Sequence, residues 1–254
     1  MKKNKIRLSK ISALHYSKLF FRSVLFIAAT VLYIFNKING TGKSFGGYEN
    51  DPVILSIIWI VFVLEMVLRF FPSRFESMGC QKQFKKNFIK TEVSKPVSNT
   101  WRSTLAVFAV WVTLNALIGT LYFIGSIDRG ILLLISLFYS VCDMICILFF
   151  CPFQTWFMKN KCCGSCRIYN WDYAMMFTPL VFIKNVYAWT LLGIALLLVA
   201  VWEISIKMHP ERFFESTNAC LSCSNCKEKL CHHKVQLRSF LIKNKDRFKS
   251  NKNK

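Results

Sequence analysis

The sequence predicts an all-α protein, a polytopic bundle of transmembrane helices. Its 254 residues are 54% hydrophobic with a mean hydropathy of +0.35, and the apolar residues fall in long blocks. Blocks of about eighteen or more have the length needed to cross a bilayer. The net charge of +21 gathers between and beyond those blocks. In a membrane chain that pattern reports topology and contact with anionic lipid at the cytoplasmic face rather than nucleic-acid binding. No motif that reads RNA or DNA is present.

Four blocks stand out, at 19–36, 53–71, 104–125 and 131–150. A fifth apolar region, 174–206, is interrupted by Lys184-Asn185. As one helix it would extend about 50 Å, against a hydrocarbon core of about 30 Å. It is therefore one span preceded by an interfacial helix, giving five, or a tight hairpin of two, giving six. Charge chooses between them. Lys2, Lys3, Lys5, Arg7, Lys10, Lys18 and Arg22 load the N-terminal segment, and Arg74, Lys82, Lys85, Lys86, Lys90, Lys95 and Arg102 load the loop after the second block. The intervening loops carry only Lys37 and Lys43, then Arg129. Lys/Arg excess marks the cytoplasmic side. The tail beyond Lys207 is the most basic segment, so both termini are expected inside and the span count even, at six. The weak span is 171–183, which is short and contains Pro179. The basic start is followed by an apolar run without an A-x-A cleavage site, so it is read as an uncleaved first span. The layout is a basic cytoplasmic N-terminus at 1–18, a transmembrane domain at 19–206 and a basic, Cys-rich cytoplasmic tail at 207–254.

A repeated string fits the even count. Glu65, Arg69, Pro72, Arg74 and Phe75 recur as Glu203, Lys207, Pro210, Arg212 and Phe213 at a constant spacing, and Cys80 answers Cys220 at a spacing two residues longer. A looser third copy runs Asp143, Pro152, Cys162. Proline soon after a helix end is a common stop. The doubled string suggests descent from hairpin repeats. The segments ESMGCQKQF, CPFQTWFMKNKCCGSCRIYNWDY and HPERF, with the terminal Cys run, resemble an uncharacterised family of multi-pass bacterial membrane proteins. The resemblance implies a bacterial cell (inner) membrane and brings no activity with it.

Eleven cysteines are present. Cys142, Cys146 and Cys151 sit in or at the end of the fourth block, where Cys is an ordinary membrane-helix residue. The other eight fall on the side assigned to the cytoplasm, where thiols stay reduced and metal or redox chemistry is favoured over disulfides. Cys163-x2-Cys166 and Cys223-x2-Cys226 each fold two sulfurs around one ion, and together they supply a tetrahedral S4 set suited to structural zinc. The alternative is an iron–sulfur cluster on Cys220, Cys223, Cys226 and Cys231, in an electron-transfer role. That run is one residue longer in its last gap than the bacterial ferredoxin pattern and lacks its proline. Cys162 and His232 are further possible ligands.

The acids inside spans are the other candidates, since intramembrane charge is costly and marks function by default. Glu65 and Glu203 each have a cation four residues on, Arg69 and Lys207, and are read as same-helix pairs near the interface. Asp143 has no such neighbour. It is the first candidate for ion or proton handling, with Arg69, Lys207 or Asn115 as expected partners. Asp172 reads as a helix N-terminal residue. No nucleotide loop, Ser/His/Asp arrangement or H-E-x-x-H occurs, and no catalytic residue is assigned. Two functions follow: a bundle with a Cys-ligated metal on its cytoplasmic face, or a small transporter or permease-like protein that uses Asp143, Glu65 and Glu203. The test between them is whether those acids face the bundle interior together. Protein partners cannot be read from the chain.

Overall fold

The computed structural model describes residues 10–40, 45, 52–72, 81–91, 101–159 and 166–222. It is built from helices α1 (Lys10–Ile38), α2 (Pro52–Val67), α3 (Trp101–Phe123), α4 (Arg129–Leu148), α5 (Asp172–Phe177) and α6 (Val186–Met208). Among the described residues there is no strand, only an isolated antiparallel bridge between Lys90 and Asn218. Helices α1, α3, α4 and α6 are long and apolar enough to cross a membrane. The 16 residues of α2 rise only about 24 Å, short of a full hydrocarbon core.

Capping sets the helix limits. Asp128 accepts a hydrogen bond from the Ile131 amide at the start of α4, and Asn185 accepts one from Tyr187 at the start of α6, each satisfying an amide that lacks an intrahelical partner. Helix α3 ends on Gly125 at φ +82°. There the Ser126 amide reaches back to Leu121 and the Gly125 amide to Tyr122, a Schellman closure that favours glycine in the left-handed region.

Two ends of the bundle can be told apart. At one, Tyr33 and Lys37 of α1 meet Asp128. At the other, Tyr16 of α1 packs against Phe149 beyond α4, so α1 and α4 are antiparallel. Helices α2 and α6 run parallel, with Ser56 and Tyr187 hydroxyls 3.1 Å apart and the Trp59 indole donating to Thr190 at 2.8 Å. The two acids of the repeated string, Glu65 and Glu203, thus lie toward the same end of neighbouring helices. We refer to the Asp128 end and the Glu203 end.

The expected fifth span is the main departure from the sequence reading. Residues 171–183 do not form one membrane-length helix. Helix α5 lasts six residues and passes into a 3-10 turn, Thr178–Phe182. Pro179 is the physical reason, because it has no amide to continue the ladder and crowds the preceding turn. The Ser136 hydroxyl of α4 donates to the Met176 carbonyl at 2.9 Å, giving that group a partner where the helix breaks. The segment nevertheless runs from Trp171, whose indole donates to Glu203, to Asn185 at the start of α6. Helix α6 covers that interval in about 27 Å of rise. Looser 3-10 rise and the extended residue Ile183 let fewer residues cover a similar distance. This broken segment is the centre of the core. Tyr173, Met176, Phe177, Leu180 and Ile183 are all buried, against Phe62 of α2 and among α3, α4 and α6.

A candidate site where a buried ion cluster parts two cavities

Arg22 of α1 is 2% exposed and organises the site. Its Nη1 donates to Asp143 Oδ2 of α4 at 3.1 Å and to the Ser140 carbonyl at 3.1 Å. Its Nη2 donates to Glu65 Oε2 of α2 at 2.7 Å. The guanidinium also lies 5.5 Å from the centre of the Phe62 ring. Glu65 takes two more partners, Lys18 at 3.4 Å and the Tyr173 hydroxyl of α5 at 2.8 Å. Next to this, Arg69 donates both terminal nitrogens to Asp172, each at 2.6 Å, and lies 4.4 Å from the centre of the Tyr173 ring. Three cations (Lys18, Arg22, Arg69) thus meet three carboxylates (Glu65, Asp143, Asp172). A charge held out of water needs such pairing, since removing one partner leaves the other uncompensated.

The pairing differs from the sequence expectation. Glu65 does not pair with Arg69, because α2 ends at Val67 and Arg69 sits in the turn beyond it, where i,i+4 geometry is lost. Glu203 takes Arg167 at 2.6 Å and the Trp171 indole at 2.9 Å, while Lys207 is exposed. Asp143 finds Arg22 rather than Arg69, Lys207 or Asn115. Asn115 instead donates to the Trp111 carbonyl of its own helix. Asp172 does begin α5, with its Oδ1 accepting from the Tyr173 amide, and it also holds Arg69. Of the three proposed acids, Glu65 and Asp143 face the interior together and Glu203 stands apart.

Two cavities flank this cluster. The first, of about 370 Å3, lies among α1, α2, α4, α5 and α6. Exposed Arg129 and Lys184 mark its mouth at the Asp128 end. Inward it reaches Phe62 and Ser140, whose carbonyl Arg22 holds. The second, of about 520 Å3, lies at the Glu203 end between α3, α4 and the segments around Gln154 and Tyr169. Asp143 and Asp172 line it, together with Cys142, Cys146, Cys151 and Cys166. Met176 of the broken segment lines both cavities. Sequence reading missed Arg22, Tyr173 and Met176. Arg22 did carry a signal, being a lone cation within the first apolar run.

The predicted metal ligands fare differently. Cys162, Cys163, Cys223, Cys226 and Cys231 lie outside the described residues. Cys166 is buried, and the Cys220 thiol donates to the Asn87 carbonyl at 2.9 Å. Among the described residues no group of His, Cys, Asp and Glu is arranged to hold a metal ion. What the structure does bring together is the chain next to these cysteines, docked on residues 81–91. Asn170, four residues after Cys166, donates to Gln83. Asn218, two before Cys220, donates to the Lys82 and Arg212 carbonyls, and the Ala219 amide bonds the Ile89 carbonyl.

Compared with known proteins, the chain matches no family model, no curated protein and no solved structure. The site's own geometry therefore carries the functional reading.

Proposed function

We propose that the chain is a small transporter or permease-like protein of the bacterial cell membrane, with six passes and both termini cytoplasmic. The observation that carries this reading is Met176. It forms a wall of both cavities, beside the Arg22–Asp143 pair and in a segment where the helix is broken. Intramembrane ionisable residues mark substrate and ion paths, and interrupted helices commonly form transporter sites near the bilayer centre. Arg22 also has a second carboxylate in Glu65, so it can release Asp143 without becoming an unpaired buried charge. The broken segment serves as the fifth pass, since it joins the same two ends as α6. Described cations concentrate at the Glu203 end, including exposed Lys85, Lys86 and Lys90. That supports a cytoplasmic, anionic-lipid-facing assignment for this end. The test is Met176→Cys in sealed vesicles, treated from either face with a membrane-impermeant maleimide and read by mass spectrometry on the peptide that contains position 176. The expected result is labelling from both faces. Labelling from one face only, or from neither, in folded protein contradicts a path through this point.

A second reading concerns the cysteines, and the shared docking of their flanks on residues 81–91 favours it. Here Cys163, Cys166, Cys223 and Cys226, with Cys162, Cys220 and Cys231 nearby in sequence, bind one metal that ties the cytoplasmic face together. Zinc would be structural, whereas an iron–sulfur cluster would add electron transfer. Thiolates select these over hard cations. Metal analysis and a visible spectrum of anaerobically purified protein test it, repeated on Cys223→Ser with Cys226→Ser. Colourless zinc lost in the variant is the expected result, coloured iron supports the cluster, and metal-free folded wild type contradicts both.

A further inference from the structure

The second cavity has a chemical bias that the first lacks. Its described lining includes Asp143 and Asp172 but no Lys, Arg or His. The arginines that pair with these acids are not part of that lining. Asp172 is committed, with both oxygens on Arg69. Asp143 takes its hydrogen bond through Oδ2 alone, and its Oδ1 has no hydrogen-bond donor among the described residues. One carboxylate oxygen is thus left for a ligand in a mostly apolar chamber.

Aromatic rings make up much of the remaining wall. Tyr139 sits one helical turn before Asp143 on the same face, with its ring centre 5.0 Å from that of Trp111. Phe138, Tyr169 and Trp156 extend the wall. A small hard cation requires several oxygen ligands, and a single free carboxylate oxygen does not supply them. A soft metal ion would require thiols gathered at bonding distance, and those of this cavity do not form such a group. Ring faces attract diffuse positive charge and accept apolar bulk. The volume also lies in the range of small organic ligands.

We propose that this cavity binds an organic cation with an apolar body, its charge set against Asp143 Oδ1 and the faces of Tyr139 and Trp111. The inference names the substrate class for the path described above and rests on that reading. A cation arriving there competes with Arg22 for Asp143, which loosens the tie between α1 and α4 while Glu65 keeps Arg22 paired.

The experiment uses equilibrium dialysis of the full chain in detergent with tetraphenylphosphonium and, separately, tetraphenylborate. These ions have the same shape and opposite charge. The cation should bind at least tenfold more tightly, and Asp143→Asn should remove that preference. Equal binding of both ions by the wild type would overturn the proposal and indicate an apolar groove of the kind a lipid chain fills. Binding of neither overturns it too, as does a preference that survives in folded Asp143→Asn. The wild-type comparison needs no variant to fold. Cation-selective binding without two-sided labelling at position 176 would leave the ligand class standing and reject the path. Two-sided labelling without charge preference would do the reverse.

Discussion

Arg22 reaches across from α1 to Asp143 of α4, 121 residues away in sequence, and binds its carboxylate at 3.1 Å while its other terminal nitrogen holds Glu65 of α2. Three helices are therefore fastened through one buried guanidinium, whose planar fork can serve two carboxylates and a carbonyl at once. The most apolar stretches of this chain pack around a charged centre.

The consequence for stability is asymmetric. Arg22→Met leaves Glu65 and Asp143 facing each other in a buried setting. We expect a loss of about 3–5 kcal/mol, the usual cost of breaking a buried pair from one side. Adding Asp143→Asn to Arg22→Met should recover much of that loss, because Glu65 then keeps Lys18 and Asp172 keeps Arg69. Thermal unfolding of detergent-solubilised protein reads both. A double variant less stable than the single would show that the ion pairs themselves supply the stability.

Arg69 provides a sharper test of which residues are partners. A double-mutant cycle between Arg69 and Asp172 should give a coupling of about 1–3 kcal/mol, typical of residues in one ion-pair network. The cycle between Arg69 and Glu65, four residues apart in sequence, should give a smaller coupling, since the two meet only through Tyr173. The reverse order would restore the same-helix pairing that the sequence suggests.

Gly119 of α3 marks where the broken segment docks. A Cβ added there would clash with the tip of the Phe182 ring, 2.8 Å from its Cε1, and that ring also packs on Phe123 at 5.7 Å. Gly119→Ala should cost about 1–3 kcal/mol, the range for overpacking a filled site. Adding Phe182→Leu should return part of it. If Gly119→Ala is silent, Phe182 swings away freely and the docking is looser than described.

Much of this architecture was legible in the sequence because a bilayer imposes a simple length rule. The blocks 19–36, 104–125 and 131–150 correspond to α1, α3 and α4, and Pro179 flags the place where the fifth apolar region breaks its helix. Glu65 and Asp143 were identifiable as candidates because charge within an apolar run is conspicuous. Their partners were not. Arg22 was counted with the basic N-terminal segment as a topology signal, and nothing local to the chain says which of three distant helices it will face. Arg69 and Asp172 meet across 103 residues, beyond the reach of any periodicity argument. The cavities depend on how neighbouring helices pack, α1, α2 and α6 around the first and α3 and α4 around the second, a property that no string of residue types displays. For the cysteines, spacing proposes a metal and the described structure supplies only the shared anchor on residues 81–91.

On the proposed function, organic cations pass through this bundle by way of Asp143. Uptake of ethidium into proteoliposomes that enclose DNA, with an interior-negative potential imposed, measures such passage. Ethidium entry then reports itself as fluorescence. Entry should be faster than into protein-free vesicles, and Asp143→Asn protein reconstituted to the same level should lose that excess. Wild-type vesicles that take up ethidium no faster than empty ones, from protein shown to bind tetraphenylphosphonium, would contradict transport.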